Sequence, residues 1–412
     1  MNPKIKLLLD KGVTMPNPAT VEIGAEVSVD RIAGAGVIFY SGTRLCGEQT
    51  LISPGVKLGY ESPVAIVNCQ LGPQVELKGG FFTKSTFLEK ANMGSGAQVR
   101  EGCLLEEEAN GAHAVGLKQT ILFPFVTLGS LINFCDCLMS GGSSRKNHTE
   151  VGSSYIHFNY TPNQDKATPS LIGDVPRGVM LNQAPIFLGG QGGLVGPTRI
   201  GYGTVISAGT VYRGDCPEGG KLLGQTGVMA YEVDFYMGFY ADIRRRIYNN
   251  ICYLANLLAL RQWYTHVRQP FFANQELGMD LYAGAMDKMK LAIKERISRF
   301  QALAEKMEKS ISLSEKILSG TRKDLLIRQK REFMERWPAI ETCLTDGAEG
   351  ETDIQRRNVY LQAIKNRMNQ EGDYIKAIQG MGAEATGEGT VWLQSIVDAV
   401  VDRVINCVPS CK

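Results

Sequence analysis

Apolar residues recur every six positions through much of the first half of this 412-residue chain, and few folds accept that period. Val75, Phe81, Phe87, Met93, Val99 and Leu105 share one six-residue phase. Ile32, Ile38, Thr50 and Val56 share another, broken once by Arg44. Leu194, Ile200, Ile206 and Tyr212 resume the pattern as LVGPTR, IGYGTV, ISAGTV and YRGD. Six is neither the period of a helix nor that of strand alternation. It suits a coil with three flat sides, where each hexad supplies one short strand and one corner. The apolar residue points into a narrow interior. A small residue lets the chain turn, and glycine is favoured where φ is positive. Stacked coils then pair edge to edge as parallel strands. This predicts a β solenoid over residues 21–215, after an N-terminal segment, 1–20. Residues 109–125 and 176–193 break the hexads. They are expected to leave the solenoid as inserts, where repeat proteins often carry function.

The grammar changes near Asp215, from Gly, Val, Ile and Thr to Glu, Lys, Arg, Leu, Met and Gln. That is a switch from strand-forming to helix-forming residues. A turn-rich linker, 216–230, leads to a helical bundle or set of helical arms over 231–412. Helical spacing is expected from Tyr231 to Gln269, Asn274 to Leu318, Arg322 to Trp337 and Asp353 to Ile378. A glycine-rich break, Gly380 to Gly389, precedes a last helix from Val391 to Cys407. Phe235, Tyr236, Phe239 and Tyr240 read as core packing.

The bulk properties narrow the partners. A net charge of +2 gives no electrostatic reason to expect nucleic acid or an anionic membrane. Leu7 to Leu9 is too short for a signal-peptide core, and no apolar stretch is long enough to span a bilayer. Ten cysteines without a CxxC pair read as reduced thiols of a cytoplasmic protein. Cys135 with Cys137, and Cys407 with Cys411, lack a second pair that would complete a zinc site, so no metal is expected.

One stretch carries chemistry. Asn133-Phe134 is followed by Ser144-Arg145-Lys146-Asn147-His148, then Asn159-Tyr160, Lys166, Thr168 and Ile172-Gly173-Asp174. Over residues 120–215 this order resembles the acetyltransferase domain of the bifunctional uridyltransferase/acetyltransferase that makes UDP-N-acetylglucosamine. The resemblance implies a left-handed parallel β-helix of hexapeptide repeats. It also implies a homotrimer with active sites between neighbouring solenoids.

The resemblance assigns roles residue by residue. His148 stands where the family has its general base, and a histidine titrates near the pH at which an amine must lose its proton. Asn159 and Tyr160 stand where the family contacts the amino sugar. Arg145, Lys146, Asn147 and Lys166 complete the substrate set, their cations suited to a sugar phosphate. Ser207, Ala208 and Arg213 lie in the coil resembling the acetyl-CoA coil. The implied activity is acyl-CoA-dependent N-acyl transfer, most simply acetyl transfer, to an amino sugar phosphate or nucleotide-sugar. The alternative is a non-catalytic sugar-nucleotide-binding or assembly protein on the same scaffold. There are departures from the family. The chain is shorter by most of a coil between His148 and Asn159. Cys135, Asp136, Cys137 and Leu138 replace the segment bearing two lysines, and Asp165 takes the position of the loop lysine. Gly42-Thr43-Arg44 echoes part of a nucleotidyltransferase phosphate loop. It sits within the hexads and lacks a surrounding βαβ pattern, so uridylyl transfer is not expected. His113 and His157 fall outside the motif and read as structural.

Overall fold

The computed structural model describes residues 3–225, 227, 230–320, 322–345 and 352–412; Thr226, Val228 and Met229 of the expected linker lie outside them. From Glu22 to Leu223 the chain winds as a parallel β solenoid of about 11 turns. A typical coil is Gly80–Thr83, Thr86–Phe87 and Asn92–Met93, one short strand per side. Each strand pairs in parallel with those of the coils before and after it.

The three sides differ. One begins Glu22–Ile23, Arg44–Cys46 and Val64–Val67 and ends at Val211–Tyr212. We term it the first open face. The second side runs Leu51–Ile52, Gln70–Leu71, Thr86–Phe87 and Leu104–Leu105, and on to Arg199–Ile200; it is the covered face. The third is a ten-stranded ladder from Ile38–Phe39 to Leu222–Leu223, the second open face. Inward side chains such as Leu45, Ile66, Phe82, Phe87, Met93 and Leu105 are fully buried. Each contributes roughly 1.5–3 kcal/mol over exposure.

The edges are columns of left-handed residues. Gly47, Asn68, Lys84, Gly102, Gln119 and Asp136 all have positive φ and form the edge between the first open face and the covered face. Gly36, Gly55, Gln74, Lys90, Glu108 and Phe125 form the edge between the covered face and the second open face. Ala114, Leu131, Ser154, Gln191 and Gly209 belong to the edge where the two open faces meet.

Residues 109–125 do not leave the solenoid. Asn110–Gly111 and Gly116–Leu122 pair on both sides like any other rung. The hexad looked broken because Gly111 holds an inward position with no apolar side chain; the Met93 sulfur fills the space a Cβ there would occupy. The excursions fall elsewhere, between Met139 and Glu150, Phe158 and Ser170, and Ile172 and Phe187. The last covers the expected insert 176–193 only up to Phe187, where the chain rejoins the ladder.

The helices form a layer against the covered face. Arg244–Trp263 is buried on most of its circumference, between solenoid and outer helices. Gly278–Glu305 runs along the coils: Asp280 pairs with Arg31 at 2.8 Å, and Arg296 pairs with Asp136 at 2.8 Å. Met307–Ile317, Lys323–Glu335, Trp337–Thr345, Ile354–Glu371, Tyr374–Gln379 and Ala383–Cys407 complete the layer. Residues 231–243 carry no helix, and Phe235 and Tyr236 are exposed, whereas Tyr240 is buried as expected. The last helix starts at Ala383 and runs through the expected glycine break. Gly389 is needed within it because a Cβ there would lie 2.5 Å from the Tyr360 ring.

Candidate active site

The segment from Ser140 to Thr149 swings out at the edge between the covered and second open faces. Gly142–Ser144 and Asn147–His148 pair antiparallel, with Gly142 opposite His148. Gly142 has φ +101°, and a Cβ on it would lie 2.5 Å from the His148 Cα. No other residue permits that approach. Thr149 Oγ1 donates to Ser140 O at 2.9 Å and accepts from Ile186 N at 2.9 Å, tying the base of this excursion to the next one. Gln379 of the helical layer donates to Ser143 O at 2.6 Å.

His148 is 17% exposed, with Nε2 3.7 Å from the Glu150 carboxylate. Its Nδ1 is buried with no hydrogen-bond partner among the described residues. Lys146 and Asn147 are exposed beside it. Arg145 turns back on the solenoid. Its Nη1 donates to Glu108 O, Phe125 O and Thr127 Oγ1 at 2.9–3.1 Å. Glu108 and Phe125 are left-handed edge residues, so the guanidinium satisfies two carbonyls where the ladder is interrupted.

Asn159, Tyr160 and Lys166 lie on the other edge of the covered face. Asn159 Nδ2 donates to Asp136 Oδ2 at 2.8 Å, continuing the column that Asp136 closes. Tyr160 is 59% exposed, with the Lys166 ammonium 5.9 Å from its ring centroid. The loop carrying them is held by the helices. Arg296 donates to Lys166 O at 3.0 Å, Asn250 to Ala167 O at 3.0 Å, and Lys306 to Asn163 O at 2.6 Å. Asp165, at the place of the family's loop lysine, is a buried anchor paired with Arg246 at 3.2 Å and accepting from Tyr240 Oη at 2.8 Å. Arg246 and Arg296 are not apparent from the motifs, and Asp165 is apparent there only as a departure from the family, not as an anchor. The one available signal was an acid where the motif has a lysine, together with the Arg244–Arg246 run.

The remaining residues sort by place. Ser207 and the exposed Ala208 sit where the open faces meet, and Arg213 is exposed at the far end of the strand Val211–Tyr212. His157 is buried. Its Nδ1 donates to Cys135 O at 2.6 Å, and its Nε2 accepts from Ser170 Oγ at 2.8 Å. Burial pulls its pKa down to about 4. His113 contacts Ser130 Oγ at 2.8 Å. Among the described residues no cluster of His, Cys, Asp and Glu is placed to hold a metal ion. No helix among them is long and apolar enough to cross a membrane.

Thus His148 stands on one edge of the covered face and Asn159, Tyr160 and Lys166 on the other, with the helical layer between them. One chain does not bring the two sets together.

No family model matches the chain. The bifunctional protein GlmU of Thermotoga petrophila is 28% identical over 224 residues, covering 54% of this chain and 44% of that protein. GlmU of Fervidobacterium nodosum is 29% identical over 220 residues, covering 53% and 43%. The chain therefore spans less than half the length of these curated relatives, and the resemblance drawn from the motifs is met by this similarity. Among solved structures, LpxA from Acinetobacter baumannii covers 68% of this chain and 95% of its own at 10% identity, TM-score 0.21. A histidine-to-asparagine mutant of perosamine N-acetyltransferase from Caulobacter crescentus, in complex with CoA and GDP-perosamine, covers 35% and 48% at 14% identity, TM-score 0.17. At such scores neither likeness carries an argument.

Proposed function

We propose that this chain is an acyl-CoA-dependent N-acyltransferase acting on an amino sugar phosphate or nucleotide-sugar, with its active sites between the subunits of a homotrimer. The observation that carries this reading is the division of the candidate residues between two edges. Helices occupy the face between those edges, and the other two faces are open and partly apolar. Phe187, Val205 and Leu222 are exposed in register on one; Phe81, Ile156 and Phe158 are exposed on the other. A threefold axis along the edge where the open faces meet would set the first open face of one copy against the second open face of the next. That packing would bring His148 of one copy toward Asn159, Tyr160 and Lys166 of its neighbour and leave the helices outside.

In this reading the acceptor amine attacks the thioester carbonyl, His148 takes the amine proton, and coenzyme A leaves as its thiolate, which is then protonated. Lys146, Asn147 and Lys166 would hold the acceptor's anionic group, with Tyr160 against its sugar. Ser207, Ala208 and Arg213 flank one strand of the first open face and would contact the acyl-CoA. Arg145 is committed to backbone carbonyls and shapes the His148 turn. That commitment, and the Cys135–Leu138 segment in place of the family's two lysines, favour the second reading: a sugar-nucleotide-binding protein without turnover.

The test is coenzyme A release from acetyl-CoA across a panel of amino-sugar phosphates and nucleotides. Sedimentation and calorimetry with acetyl-CoA and UDP-N-acetylglucosamine accompany it. His148→Ala should lose about 10²–10⁴-fold in turnover and keep binding. Mixed oligomers of His148→Ala and Asn159→Ala chains should recover activity that neither has alone. A stable monomer, or an active wild type matched by His148→Ala, defeats the proposal. Sugar-nucleotide binding without coenzyme A binding establishes the second reading.

A further inference from the structure

The ten cysteines differ in what surrounds them. Cys69, Cys103, Cys137, Cys216, Cys252 and Cys411 are buried. Burial pushes the thiols of Cys69 and Cys411 up to about 11 and that of Cys103 to about 12, which keeps them as unreactive thiols. Cys46, Cys135, Cys343 and Cys407 are half-buried. Of these four, two face each other: Cys343 Sγ lies 3.9 Å from Cys407 Sγ, across the contact between helices Trp337–Thr345 and Ala383–Cys407. A disulfide needs a separation of about 2.0 Å, so side-chain rotation and a small helix shift would close the pair. Cys407 Sγ also contacts Arg403 O one turn back at 3.4 Å, a weak bond that rotation toward Cys343 would break.

We propose that Cys343 and Cys407 are a modification site, forming an intramolecular disulfide by exchange with a low-molecular-mass disulfide such as oxidised glutathione. One protein thiol loses its proton and attacks a glutathione sulfur. The glutathione S–S bond breaks, and the leaving glutathione thiolate takes up a proton. The second cysteine, deprotonated in turn, attacks the protein sulfur of the mixed disulfide and releases the second glutathione as its thiol. Two protein thiols are oxidised, one glutathione disulfide is reduced, and no other reactant is needed.

The place of the bond gives it a consequence. It would close a loop 64 residues apart in sequence. That loop holds Tyr374, whose ring lies 3.7 Å from the Arg268 guanidinium, and Gln379, which donates to Ser143 O beside the His148 turn. Oxidation therefore ties together the segment of the helical layer that touches the His148 turn, and loop closure of this kind restrains the unfolded chain.

The experiment uses the native full chain in buffers ranging from reduced glutathione alone to an excess of the oxidised form, then alkylation and peptide mapping by mass spectrometry. The expected product is a peptide pair joined through Cys343 and Cys407, lighter by about 2 Da than the two thiols and reversed by dithiothreitol. Cys46 and Cys135 should form glutathione adducts or stay alkylatable, without joining. Cys343→Ser should abolish the joined pair and leave Cys407 as a glutathione adduct or an alkylated thiol. Recovery of Cys343 and Cys407 as separate alkylated or glutathionylated residues in the most oxidising buffer would overturn the proposal, as would cross-linking to any other cysteine.

Discussion

Replacing Arg296 with methionine tests whether the helical layer holds the acceptor loop or merely lies beside it. The Arg296 and Asp136 side chains are 2% and 4% exposed, their ion pair is 2.8 Å long, and Arg296 also donates to Lys166 O at 3.0 Å. Methionine keeps much of the packing volume but leaves the Asp136 carboxylate buried, with Asn159 Nδ2 as its remaining side-chain donor. Removing one partner from a buried pair costs roughly 3–5 kcal/mol, because the surviving charge is uncompensated. Asp136→Asn removes that charge. Asparagine tolerates the φ of +62° at this corner and can still accept from Asn159. The double variant should therefore cost only about 1–2 kcal/mol, the scale of lost hydrogen bonds. Equilibrium urea unfolding measures all three variants, and hydrogen exchange across residues 159–169 locates the change. The reasoning fails if Arg296→Met costs no more than a surface change, under about 0.5 kcal/mol. It also fails if Asp136→Asn adds to the damage rather than relieving it.

Other outcomes follow from the same contacts. Burial, with Glu107 adding and Arg268 and the Tyr264 hydroxyl opposing, pushes Glu106 up to about 7. The folded state thus holds this proton more tightly than the unfolded chain; the contribution is full below about pH 4.5 and is lost as pH rises through 7. Glu106→Gln should gain on the wild type by about 3 kcal/mol across that window, read as urea midpoints against pH. His157, pulled down to about 4 by burial, gives the opposite limb: its contribution is present above pH 6.5 and lost as pH falls through 4. His157→Gln should flatten that limb. Gly389→Ala should destabilise by about 1–3 kcal/mol in thermal melts, because overpacking against Tyr360 outweighs the roughly 1 kcal/mol gain in helix propensity.

The solenoid was legible because its interior is one residue wide: nearly every inward position is filled by Leu, Ile, Val, Phe or Met, and the period shows. It faded where a neighbour filled the space, as Met93 does for Gly111, and where the chain leaves the coils between Ile172 and Phe187; at Phe81, which is exposed, the inward residue is the next one, Phe82. The helical layer's position was not legible. The residues that meet it from the covered face include Gln70, Glu106, Glu107 and Asp136, polar side chains that read as solvent-facing until Tyr264, Arg268 and Arg296 are set against them. The motif residues were findable as a list. Their separation onto two edges was not, because it depends on which corner each excursion leaves, and sequence spacing does not encode that.

The long helix Gly278–Glu305 also bears on how such a chain can change in length. Repeat arrays ordinarily gain or lose units freely, since each unit touches only its neighbours. Here Gly284 lies so close to Gln70 that a Cβ would strike its side chain, and Arg296 grips Asp136, at the corner that leads into the fourth strand further along the covered face. The helix covers about 18 Å between those points at 1.5 Å per residue. Four rungs at the interstrand spacing span about 19 Å. Deleting one rung would call for removing about three helical residues, which falls short of a full turn and swings everything beyond it by about 60°. Removing two rungs, about 9.6 Å, is different: seven helical residues span about 10.5 Å and turn about 700°, within about 20° of two full turns, so Arg296 would still face the solenoid. Between Gln70 and Asp136 a single coil therefore cannot be gained or lost alone, and lineages carrying this helix should change coil number there in pairs, each pair with about seven helical residues.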